Sequence, residues 1–108
     1  MQDQPAGPPI KSEFATDPDM RELVEEFVDA LPGRVNDLMA AFEAGDLETV
    51  TRGAHQLSGA SGGYGFPAVG DVARAFEHRL KALDSAEQLE SLRNDVDGLV
   101  AMCGRVVL

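Results

Sequence analysis

Basic residues are scarce in this chain. Nine lysines and arginines stand against 19 aspartates and glutamates, for a formal net charge of −10. A nucleic acid needs a basic footprint to neutralise its phosphates, so no nucleic-acid partner is expected. An anionic membrane surface is disfavoured on the same ground. Cysteine is nearly absent: Cys103 stands alone, so no intrachain disulfide can form. It lies in an apolar run and reads as a small core residue rather than a reactive thiol. No apolar stretch approaches the length of a membrane span. The opening MQDQPAGPPIKSEF lacks the basic start and hydrophobic run of a secretory signal, so a cytoplasmic protein is the default expectation. His55 and His78 are the only histidines, and neither has a His or Cys partner at ligand spacing, so no metal site is expected. No segment alternates convincingly as a strand, and no Walker-type loop or kinase-like nucleotide site occurs.

What is present is helical periodicity. At 108 residues the chain reads as a single domain. Residues 1–13, with Pro5, Pro8 and Pro9, read as a flexible tail or linker, and residues 14–108 as the folded part. Asp17-Pro18 resembles an N-cap followed by proline at the first helical position. Apolar residues then recur from Met20 through Leu23, Val24, Phe27, Val28, Leu31, Val35, Leu38 and Met39 to Phe42. Pro32-Gly33 interrupts this run without shifting its phase, which predicts a kinked helix or two helices in line. Gly45 closes the segment and Asp46 caps the next one. That second helix carries Leu47, Val50, Ala54, Leu57, Ser61 and Tyr64 on one face and stops at Gly65-Phe66-Pro67. A third places Val69, Val72, Ala73, Phe76, Leu80 and Leu83 in register. The last begins at Ser85, with Gln88 in the capping-box position, and runs through Leu89, Leu92, Val96, Leu99 and Cys103 to Val106. The fold class is therefore all-α: an antiparallel four-helix bundle.

The stretch Ala54–Gly65, AHQLSGASGGYG, conflicts with helix propensity. Each interior glycine costs roughly 1 kcal/mol relative to alanine, yet four glycines follow His55 within it. At about 100° per residue, His55 lies about 120° from the centre of the apolar face, toward solvent. Arg52, Gly59 and Gly62 share its stripe. Bare glycine positions beside an exposed imidazole let another protein approach the ring, so Gly59 and Gly62 read as docking positions. Gly63 and Gly65, close to the breaker, are read as helix-end or packing glycines. Gly59–Gly63 also matches G-x-S-x-G, but no strand precedes it and Ser61 falls on the apolar face, which argues against a hydrolase elbow. His78 is expected on a solvated edge.

Together, Ala54-His55-Gln56-Leu57-Ser58-Gly59-Ala60 and Gly63-Tyr64-Gly65-Phe66-Pro67 resemble the signature of histidine-containing phosphotransfer (HPt) domains, in which histidine, any residue, leucine, lysine and glycine succeed one another. Phe27–Pro32, the Gly45-Asp46-Leu47 turn, Ala73 and Glu77 are similar to family features as well. The resemblance covers about residues 14 to 83. It implies a phosphorelay: His55 accepts a phosphoryl group from the aspartyl phosphate of a receiver domain and passes it to a second receiver. The implied partners are response-regulator receiver domains and a hybrid histidine kinase. The chain would be a phosphocarrier rather than an autonomous kinase, with no cofactor of its own and with magnesium supplied by the receiver. Imidazole suits the task, since it is partly neutral near pH 7 and attacks without a strong base.

The sequence departs from that pattern at Ser58, which stands where the family carries lysine. A serine can donate a hydrogen bond to phosphate but brings no charge. Arg52 is the expected substitute, with Arg74 and Arg79 as further candidates from the next helix. The competing reading is a non-catalytic module that docks receivers or other helical partners. A monomer is expected, because the four segments can bury their apolar faces against one another.

Overall fold

The computed structural model of the protein describes residues 7–108, and it is predominantly helical. Helix α1 spans Arg21–Glu43, α2 Leu47–Gly63, α3 Pro67–Lys81 and α4 Arg93–Cys103, with a 3-10 helix over Ala86–Leu92. The all-α bundle expected from periodicity is what the chain forms. Its core runs along the predicted apolar faces: Val24, Phe27, Leu31, Leu38 and Phe42 from α1, Val50, Ala54 and Leu57 from α2, Val69, Ala73, Phe76 and Leu80 from α3, and Val96 and Leu99 from α4. Among the described residues no helix is long and apolar enough to cross a membrane.

The two turns that frame α2 follow from their glycines. Gly45 has φ +73°, and the amides of Gly45 and Asp46 donate back to the carbonyls of Phe42 and Ala41. Gly65 has φ +89°, and the amides of Gly65 and Phe66 donate to Gly62 and Ser61. Both are Schellman closures, which need a residue that tolerates the left-handed region. Asp46 then caps α2, its carboxylate accepting from the Thr49 amide at 3.1 Å and the Thr49 hydroxyl at 2.7 Å. Pro67 occupies the first turn of α3, where its missing N–H costs nothing.

Elsewhere the structure decides between the sequence readings or corrects them. Of one helix or two in line across Pro32-Gly33, the chain forms one, with Pro32 inside a continuous α1. That helix starts at Arg21, because the Asp17 carboxylate accepts from the Asp19 amide in a local turn instead of capping a helix at Pro18. The final segment is not one helix: Ser85 makes no side-chain cap, a 3-10 stretch follows, and α4 begins only at Arg93. Arg93 fixes that junction. Its guanidinium donates to both carboxylate oxygens of Glu43 at 2.8 Å, reaches Glu90, and stacks 4.8 Å above the Phe42 ring.

The chain also has strands where none was expected. Ile10–Lys11 (β1) pairs in parallel with Val106–Val107 (β2). Next to it, the Glu13 amide donates to the Gly65 carbonyl at 2.8 Å and the Ser12 hydroxyl to the Tyr64 carbonyl at 2.7 Å. From Ile10 on, the expected tail is therefore pinned to both the C-terminal segment and the α2–α3 turn. Pro8 is held as well, its carbonyl accepting from Nε of Arg105 at 2.9 Å, while residues 1–6 of the expected tail lie outside the described residues.

Candidate functional site

His55 projects from the middle of α2, with 73% of its side chain exposed. The ring is oriented from across the helix pair. Its Nδ1 lies 3.0 Å from Oε2 of Glu77 on α3. A carboxylate can only accept there, so the neutral ring carries its proton on Nδ1 and keeps its lone pair on Nε2. Glu77 itself is buried, its side chain 8% exposed, and Nζ of Lys81 lies 2.9 Å from the same Oε2. The Lys81 ammonium, with help from the His55 charge, holds the Glu77 carboxyl below its ordinary value against the opposing effect of burial. One ionised oxygen thus anchors both an imidazole and an ammonium.

The spacing of α2 and α3 makes that contact possible. They are the most extensively packed helix pair. Gly70 brings them together: a Cβ there would stand 3.1 Å from the Ser58 carbonyl and 3.3 Å from the Gly62 nitrogen. Close approach of two backbones is a use of glycine that the sequence reading did not assign to this position.

The expected site residues separate into two groups. Arg52 and His55 line one open groove with Glu48, Thr51, Glu77 and Lys81. Ser58 does not join them; it is 8% exposed and shares the inward side of α2 with Ala54 and Ser61. A lysine stem could carry charge outward from such a position, whereas a hydroxyl one carbon from the backbone stays inside. Arg79 is engaged with Asp95 of α4 at 3.0 Å, and Arg74 is exposed outside the groove. Gly59 and Gly62 are exposed, with nothing within 4 Å of an added Cβ. The face beside His55 is bare, as expected. Ser61 is fully buried within α2 with no hydrogen-bond partner for its hydroxyl, so it cannot act as an accessible nucleophile. His78 is exposed.

This exposed helical histidine, held through Nδ1 inside a four-helix frame, coincides with a family match: the Hpt domain model covers residues 22–102. The chain belongs to the Hpt domain family. No curated protein and no solved structure matches it. The Hpt match spans all four helices, including α4, which the sequence resemblance did not reach. As an Hpt domain the chain is a histidine phosphotransfer module of phosphorelay systems, a class that acts with response-regulator receivers. Sequence reasoning placed Glu77 among the family features but gave it no role, and it passed over Lys81. A signal for Glu77 was available. It falls on the apolar face of α3 between Ala73 and Leu80, and a carboxylate buried there needs a partner.

Proposed function

We propose that His55 is the phosphoryl acceptor of this Hpt domain, taking the group from the aspartyl phosphate of one receiver and passing it to another. The observation that supports this most is the Nδ1–Glu77 contact at 3.0 Å on a largely exposed ring. It directs the Nε2 lone pair outward, where a partner can present a phosphorus atom in line. The Nε2–P bond forms as the P–O bond to the receiver's aspartate breaks, and that electron pair leaves on the aspartate carboxylate. The ring keeps its Nδ1 proton and becomes cationic. Glu77 offsets this charge, so the buried carboxylate acts as orienter and counter-ion together. Magnesium belongs to the receiver's side of the reaction. Arg52 lines the groove and contributes positive charge at its edge, while the bare Gly59–Gly62 surface gives the receiver room to close over the ring. The domain works in this scheme as a cytoplasmic monomer downstream of a hybrid histidine kinase.

The test is transfer from a phosphorylated receiver domain to the wild-type protein and to His55→Gln. Acid-labile, base-stable label on the wild type alone, released to a second receiver, supports the reading. Binding of receivers without any label would replace it with that of a docking module.

A further inference from the structure

Lys81 has no role in orienting His55, yet it occupies the same oxygen. It is the last residue of α3, one turn beyond Glu77. A pair at this spacing on a free helix surface contributes little. Here the acid is buried while 63% of the lysine side chain is exposed, and the acid is shared with the imidazole. With Nζ 2.9 Å and Nδ1 3.0 Å from Oε2, the ammonium lies within about 6 Å of the ring, the range over which charges act strongly on one another.

The other cations are less well placed. Arg79 is held by Asp95, and Ser58, where the family carries lysine, is buried and uncharged. Arg52 lines the His55 groove but also a second groove with Arg34 and Asp37, and no hydrogen bond ties it to Glu77 or His55. Lys81 is the cation joined to the carboxylate that holds the ring. Its four-carbon stem can move the ammonium by one hydrogen bond's length without leaving the groove.

We propose that Lys81 supplies the cationic charge for the phosphoryl group: once phosphorus is bonded to Nε2 of His55, the ammonium passes from Glu77 Oε2 to a phosphoryl oxygen, while Glu77 keeps the Nδ1–H. The charges match. Transfer makes the ring cationic and brings a dianion into the groove, so Glu77 retains a positive partner when Lys81 leaves it. The missing lysine of α2 is thereby replaced from α3. The inference rests on His55 as the acceptor.

The experiment uses potassium phosphoramidate, which phosphorylates imidazole with loss of ammonia and needs no protein partner. The full chain, Lys81→Gln and Lys81→Arg are loaded, and the phosphoryl resonance is followed by phosphorus NMR against pH and time. The groups facing it in the groove are Glu48, Arg52, Glu77 and Lys81. Lys81→Gln is expected to raise the pH at which the phosphoryl group takes up its proton by about half a unit. It is also expected to shorten the phosphohistidine lifetime by roughly two- to fivefold, the scale of an exposed ion pair. Lys81→Arg restores both toward wild type. A Lys81→Gln protein that titrates and decays like wild type overturns the assignment of Lys81 alone. A wild type that carries no phosphohistidine, from phosphoramidate or from a phosphorylated receiver, overturns the acceptor reading and this inference with it.

Discussion

Two glycine-to-alanine substitutions should move stability in opposite directions, although local propensity treats them alike. At Gly59 an added Cβ meets nothing within 4 Å. Only the backbone term remains, so Gly59→Ala should stabilise by up to about 1 kcal/mol. At Gly70 the Cβ would stand 3.1 Å from the Ser58 carbonyl and 3.3 Å from the Gly62 nitrogen, both backbone atoms of α2 that cannot rotate away. The helices must separate by a few tenths of an ångström. Overpacking of this kind costs about 1–3 kcal/mol. Set against a propensity gain of about 1 kcal/mol, Gly70→Ala should still lose up to roughly 2 kcal/mol. At about 4–8 °C per kcal/mol for a domain of this size, thermal unfolding followed by circular dichroism resolves both shifts. Separation of α2 from α3 also lengthens the contact between His55 and Glu77, so Gly70→Ala should slow phosphoryl acceptance. Gly59→Ala should slow it only when a receiver is the donor, by crowding the docking face. A more stable Gly70→Ala, or a destabilised Gly59→Ala, would refute the account of how these helices meet.

Gly65→Ala should be among the most damaging single substitutions. Its φ is +89°, and a Cβ would stand 2.9 Å from the Glu13 amide nitrogen, so a loss above about 1 kcal/mol is expected in urea unfolding. The Glu77 carboxyl is held below its ordinary value of 4.5, first by the Lys81 hydrogen bond and also by the His55 charge. A depressed carboxylate contributes stability that is fully present above that ordinary value and lost as pH falls through the lower folded one. The His55 ring resonances should therefore keep the signature of the Glu77 contact as pH falls to 4.5, and Glu77→Ala, which leaves no acceptor for Nδ1–H, should abolish that signature at every pH. Burial pushes the Cys103 thiol up to about 11, so alkylation near pH 8 should label it only after denaturant is added. Rapid labelling of the folded protein would contradict the packing of α4.

The parts of the fold legible in the sequence were those set by local chemistry. Gly45-Asp46 and Gly65-Phe66-Pro67 each combine a left-handed glycine with a residue suited to begin the next helix, and α2 and α3 start where these motifs place them. The outward direction of His55 followed from the 3.6-residue period alone. Features that depend on distant partners were hidden. Ile10 becomes a strand only because Val106 lies beside it at the other end of the chain. The irregular start of the last segment reflects Arg93 reaching back to Glu43, fifty residues away. The inward position of Ser58 follows from its sharing a side of α2 with Ala54 and Ser61, a consequence of spacing that the family pattern obscured. The contact between Glu77 and His55 spans 22 residues and two helices, so neither periodicity nor motif spacing disclosed it.

The central claim is that the phosphoryl group resides on Nε2 of His55, because Glu77 occupies Nδ1. The measurement that tests it most directly is nitrogen–phosphorus NMR of protein uniformly labelled with nitrogen-15 and loaded from a phosphorylated receiver. Coupling of phosphorus to Nε2 of His55, with the proton still on Nδ1, is the predicted result. Phosphorus coupled to Nδ1, or bound to any residue other than His55, would contradict it.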